Sequence, residues 1–198
     1  MVSPDTQTGD SRRRHTRTIL VVDDSRTSLH VIGGRLGAMG YMVVLAQSGR
    51  EALDLISGRG FDLVLLDMMM PGMSGLEALA EIRTAPDTAD LPVIMITALN
   101  DTDGAVAALA AGADDHLAKP FDFGVLQARI ERTLERAGRI AELKRTVASL
   151  DARIAARAIE LGETRSELAV TRADYARLQG LSDAPGGRVV SLNGTSAA

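Results

Sequence analysis

"TILVVDDS", residues 18–25, joins a run of five β-favouring residues, four of them apolar, to two adjacent carboxylates, Asp23 and Asp24. Like charges at the end of a buried strand repel one another, so another group must compensate them. Four further runs have strand character: "MVVLA" (42–46), "FDLVLLD" (61–67), "LPVIMIT" (91–97) and "DDHLAK" (114–119). Between them, residues 26–39, 48–58, 75–84 and 101–111 carry apolar residues at helical spacing and break at Gly, Pro or Asn. Strict alternation of strand and helix predicts right-handed crossovers and a five-stranded parallel sheet with helices on both faces. In such sheets functional residues gather at the carboxyl ends of the strands.

That rule groups the chemistry-bearing residues. Asp23 and Asp24 follow the first strand, Asp67 ends the third, Thr97 the fourth and Lys119 the fifth. Three carboxylates on one rim bind protons strongly unless a divalent cation offsets them. Magnesium suits an all-oxygen site: it keeps several waters and needs only one or two carboxylates plus phosphate oxygens. One aspartate is then left to act as a nucleophile toward phosphorus, with Lys119 balancing the phosphoryl charge and Thr97 donating a hydrogen bond. The reaction expected is formation of an acyl phosphate on an aspartate.

Composition narrows the alternatives. The chain of 198 residues is 45% hydrophobic, enough for one full domain and an appended element. It has no apolar run of membrane-spanning length and no apolar stretch at its start, so a cytoplasmic protein without membrane contact is expected. No cysteine is present, and His15, His30 and His116 have no ligand spacing for a transition metal. A net charge of −4 argues against direct nucleic-acid binding, and the basic "RRRHTR" at 12–17 reads as part of a solvated, flexible tail over 1–16. Met68, Met69 and Met70 cannot all face one ion from a strand end. "GGRLGAMG" (33–40) lies late in the first helix, not directly after a strand, so it is not placed to cradle a pyrophosphate. A dehalogenase-type phosphatase needs a second carboxylate two residues after its nucleophile, and Met69 stands there. No separate catalytic domain is expected.

"ILVVDDS", "DLVLLDMMMPGMSGLE", "PVIMITA" and "GADDHLAKPF" together resemble the receiver domain of two-component response regulators over residues 17–135. The resemblance implies a flavodoxin-like, doubly wound (βα)5 fold. It implies Asp67 as phosphoacceptor and Asp24, Asp67 and the main-chain carbonyl of Met69 as magnesium ligands, with Asp23 just outside them. Thr97 matches the switch residue and Lys119 the salt-bridge partner of the phosphoryl group, and Lys119-Pro120 matches a peptide bond often cis in the family. A sensor histidine kinase or a phosphotransfer protein is the implied donor. Receivers usually carry Tyr or Phe three residues before the lysine, an aromatic ring that turns inward on activation. Here His116 occupies that position, and a histidine there makes the switch sensitive to pH between about 5 and 8. Apolar Met69 and Leu99 beside the site give little help in positioning an attacking water, so slow self-hydrolysis is expected.

The last third of the chain has a different character. Residues 122–180 contain no proline and are rich in Ala, Leu, Arg and Glu, predicting a helix that continues the last receiver helix for on the order of 85 Å. Ile140, Val147, Ile154, Leu161, Leu168 and Tyr175 recur every seven residues, with Leu143, Leu150 and Leu178 beside them, which is the pattern of a coiled coil. Lys144, Asp151, Arg165 and Arg172 interrupt a second apolar line, and Gly138 and Gly162 each weaken the helix by roughly 1 kcal/mol relative to Ala. A parallel homodimer through this helix is expected, and residues 181–198 read as a flexible tail. No output domain is recognisable after the helix. Two readings follow: a signalling module read by its own assembly or by a partner protein, or the receiver and linker of a larger output enzyme such as a diguanylate cyclase. A reading frame ending at Ala198 favours the first and an open frame the second.

Overall fold

The computed structural model describes residues 16–99 and 101–182, with side chains to residue 179. The expected tails, 1–16 and 181–198, lie outside the described residues apart from Thr16 and the last helical residues. Five strands alternate with five helices: β1 (Thr18–Val22), α1 (Arg26–Ala38), β2 (Met42–Ala46), α2 (Gly49–Gly58), β3 (Leu63–Asp67), α3 (Gly75–Thr84), β4 (Val93–Thr97), α4 (Thr102–Ala110), β5 (Asp115–Ala118) and α5 (Phe123–Ser182). All pairings are parallel and the sheet order is β2-β1-β3-β4-β5. The first crossover runs to one side of β1 and the rest to the other, so the switch point lies between β1 and β3.

Alternation along the strands divides the core into two layers. Leu20, Val22, Val64, Leu66, Val93 and Met95 pack with Ala52 and Ile56 of α2, Leu79 and Ile82 of α3 and Ala108 of α4. Ile19, Val21, Leu63, Leu65, Ile94 and Ile96 pack with Leu29, Ile32 and Leu36 of α1 and with Leu126 and Ile130 of α5. Each Val, Leu, Ile or Met side chain among these contributes about 1.5–3 kcal/mol on removal from water, before chain entropy is counted. β3 and β4 are buried at every residue, as expected for central strands covered on both faces.

Three strands begin one or two residues later than the apolar runs suggest, and polar anchoring explains each case. The Asp62 carboxylate accepts from the backbone N of Thr18 at 2.7 Å and from Arg17 at 2.6 Å, so it ties off β1 rather than opening β3. Pro92 has no N–H to give, and its carbonyl accepts from Val64 N at 2.8 Å. Asp114 turns its side chain to Arg83 and Val93 N, both at 2.9 Å. Side-chain caps start the helices: Ser25, Ser48, Ser74 and Asp101 each accept from a backbone N three residues on. Ser74 and Glu77 complete a reciprocal capping box, and the bonds from Ser74 hold the exposed Glu77 carboxyl below its usual range.

Arg83 ties α3 to the far edge of the sheet. Its guanidinium donates to the carbonyls of Gly112 and Leu91, each at 2.8 Å, and to Asp114 at 2.9 Å. Arg83→Met keeps much of the apolar stem but strands two carbonyls and a carboxylate. A loss of about 2 kcal/mol in urea unfolding is expected, and a loss below a few tenths contradicts this role.

Two compact units divide between Ala141 and Glu142. In the first, Asp122 caps the start of α5 by accepting from Gly124 N at 2.7 Å, and Leu126 and Ile130 are fully buried. In the second, every residue described from 142 to 179 is exposed. Among the described residues no helix is long and apolar enough to cross a membrane.

Candidate active site

The carboxyl ends of four strands bring the predicted rim residues together. Asp23 opens the turn after β1 and is 1% exposed. Its backbone N donates to Ala46 O at 3.2 Å, and its Oδ1 accepts from Ser25 N at 2.8 Å. Asp24 stands exposed beside it. Asp67 is the last residue of β3 and is 7% exposed; Thr97 closes β4 and is 2% exposed. Just past β5, Lys119 donates its backbone N to Thr97 O at 2.8 Å, and the Lys119-Pro120 bond is cis, as the resemblance implies. One ligand atom from each of Asp23, Asp24 and Asp67 lies within 4.8 Å of the others. Lys119 Nζ donates to Asp23 Oδ2 at 2.7 Å and to Asp67 Oδ1 at 2.8 Å.

The opening problem of two adjacent carboxylates is therefore answered by partition. Asp23 turns inward, where a backbone amide and Lys119 satisfy it, and Asp24 remains at the surface. The charge is still under-compensated. Burial raises the pKa of Asp67 above the ordinary aspartate value, and the charges of Asp23 and Asp24 add to that rise against the opposing pull of Lys119. Burial alone lowers the Lys119 pKa, but its bonds to Asp23 and Asp67 outweigh this and hold it above the ordinary lysine value. Three carboxylates, whose oxygens are hard donors within reach of a common point and which one lysine only partly offsets, fit a divalent cation of the magnesium type.

The surrounding loop is built around Gly75, whose part the sequence reading does not single out. Gly75 N donates to Met68 O at 2.9 Å, and a Cβ on Gly75 would run into the Asp67 carbonyl oxygen and lie 2.9 Å from the Met68 Cα. The signal was a glycine in the first turn of a capped helix, directly after the loop that follows the Asp67 strand. The methionine run separates as the strand-end geometry requires. Met68 and Met70 join the core, whereas Met69 is 70% exposed and Leu99 63% exposed.

His116 pairs in register with Met95. Its neighbour Asp115 is held by Arg129 of α5 at 2.7 Å and Leu117 packs with the α1–α5 layer, so alternation places His116 on the α4 side of the sheet. It is half-buried, and its buried Nδ1 makes no hydrogen bond.

The sequence profile described as "Response regulator receiver domain" matches residues 19–131, more than half of the chain. The chain belongs to the response regulator receiver family. The receiver is followed by the long α5 helix. Response regulator MprA of Mycolicibacterium vanbaalenii is 48% identical over 118 residues, which cover 60% of this chain and 50% of that protein. The chain spans about half the length of the curated relatives it matches. Among solved structures, a response regulator receiver domain protein from Clostridium thermocellum is 33% identical with a TM-score of 0.59, covering 63% of this chain and 98% of that one. The receiver domain of NtrX from Brucella abortus is 36% identical with a TM-score of 0.56, covering 59% of this chain and 98% of that one. This receiver is thus a response regulator of two-component signalling, and its acidic cluster is consistent with a receiver metal site.

Proposed function

We propose that this receiver accepts a phosphoryl group on Asp67 from a phosphohistidine of a sensor kinase or phosphotransfer protein. The observation that carries the reading is the asymmetry of Asp67: Oδ1 is held by Lys119, while Oδ2 takes no hydrogen bond from any described residue. Oδ2 attacks phosphorus, an O–P bond forms, the N–P bond breaks, and the imidazole nitrogen leaves with the electron pair. Asp24, Asp67 and the Met69 carbonyl would hold magnesium, with Asp23 just outside; the ion supplies the positive charge that three carboxylates and a phosphoryl group need. Lys119 pairs with the phosphoryl oxygens, and the Thr97 hydroxyl donates to them from the neighbouring strand. The signal leaves through self-association of α5 or through a partner protein that reads the receiver face.

Acetyl phosphate in magnesium buffer tests the reading. The intact mass is expected to rise by one phosphoryl group, labile to hydroxylamine, absent in Asp67→Asn and suppressed by a chelator. Labelling at another residue overturns it. With Met69 and Leu99 exposed and unable to orient a water, the acyl phosphate is expected to persist for minutes or longer, and a half-life of seconds contradicts that expectation.

A further inference from the structure

We propose that α5 residues 140–178 from two copies of this chain form a parallel, in-register, two-stranded coiled coil, with Glu160 and Glu167 of each copy paired to Arg165 and Arg172 of the other. The inference rests on the reading of α5 as a self-association element and deepens it by assigning partner, polarity and register.

The seam needs cover. Leu143, Ile154, Leu161, Tyr175 and Leu178 are each 60–67% exposed, and a lone helix in water has only marginal stability. The apolar period is seven residues, 3.5 per turn, which requires a supercoiled partner of the same repeat rather than a flat groove. A second copy supplies that repeat. In heptad lettering, Ile140, Val147 and Ile154 are β-branched residues at a, and Leu143 and Leu150 stand at d; this combination favours two parallel strands.

Charge sets the polarity and register. In a parallel pair each g residue faces the e residue five positions on in the other copy. Glu160 then meets Arg165 and Glu167 meets Arg172, each twice by symmetry. Arg139 against Lys144 is the like-charge pair, at the start of the seam, and the remaining g–e pairs each include an uncharged residue. Arg157, Thr164 and Thr171 fall at d and weaken the middle of the seam. Arg157 leans out of it: its Nη1 is 2.9 Å from Glu160 Oε2 of the same helix, so the charge sits at the g edge while the stem covers the layer.

The chain contains no cysteine, so introduced thiols report the geometry directly. The full chain is expected to sediment as a dimer at tens of micromolar. Leu178→Cys, at d, is expected to form an intermolecular disulfide nearly quantitatively under mild oxidation, and Ser149→Cys, on the outer face, is not. Glu160→Lys with Glu167→Lys is expected to raise the dimer dissociation constant at least about tenfold, and adding Arg165→Glu with Arg172→Glu to the same chain to restore it. A wild-type monomer at 100 µM overturns self-association itself. A dimer in which the thiol introduced by Leu178→Cys stays reduced overturns only the parallel register, since antiparallel pairing sends the two thiols to opposite ends.

Discussion

Asp67→Asn is expected to abolish phosphoryl acceptance and, at pH 7 without divalent cations, to make the protein more stable. The first effect follows because an amide oxygen cannot carry the acyl phosphate, so incorporation from acetyl phosphate should fall at least a hundredfold. The second follows from linkage. Burial and the neighbouring Asp23 and Asp24 raise the Asp67 pKa above its unfolded value. A carboxyl raised in this way contributes stability that is fully present below the ordinary aspartate pKa and is lost as pH rises through the folded value. At neutral pH the ionised Asp67 is therefore a net cost, which the neutral, isosteric amide escapes while still accepting from Lys119. Urea unfolding should show a gain of about 1 kcal/mol at pH 7 that shrinks toward zero near pH 4. Excess magnesium should also narrow the gap, because the ion stabilises the natural protein more than the variant. Equal stability of the two proteins at pH 7 in a chelator would show that Lys119 fully compensates the cluster.

Lys119→Met should act in the opposite direction on stability. Lys119 Nζ is the cation 2.7 Å from Asp23 Oδ2 and 2.8 Å from Asp67 Oδ1, and Asp23 is nearly inaccessible to water. Removing one partner of a fully buried pair costs about 3–5 kcal/mol. The Lys119 side chain is 34% exposed, so water screens part of the interaction and about 2 kcal/mol is the expected loss. Lysine's raised pKa means that the contribution is fully present below the ordinary lysine value and is lost as pH rises through the higher folded value. The variant should thus be less stable at pH 7 and approach the natural protein in strong alkali. Lys119 also competes with a metal for Asp67 Oδ1, so magnesium should bind the variant more tightly, read as a lower midpoint in calorimetric titration. Weaker magnesium binding in Lys119→Met contradicts this account of the site.

Near-continuous apolar runs alternating with capped helical segments determined the fold class and the order of the elements from the sequence alone, because a parallel sheet buried on both faces tolerates little else. The same alternation determined that Asp23, Asp24, Asp67, Thr97 and Lys119 share one rim, since strand ends in such a sheet all point the same way. The heptad of α5 was equally legible, because supercoil period is a property of sequence spacing. Where β3, β4 and β5 begin was not, because Asp62, Pro92 and Asp114 take part in bonds to segments far along the chain. Tertiary structure alone decided that Asp23 is buried and Asp24 exposed. It likewise decided that Lys119 reaches both Asp23 and Asp67, that Gly75 admits no side chain beside the Asp67 carbonyl, and that Arg83 holds three acceptors from separate segments. The physical reason is common to these cases: pattern reports which face or strand end a residue occupies, whereas desolvation, charge compensation and close approach depend on ångström distances between segments that only packing brings together.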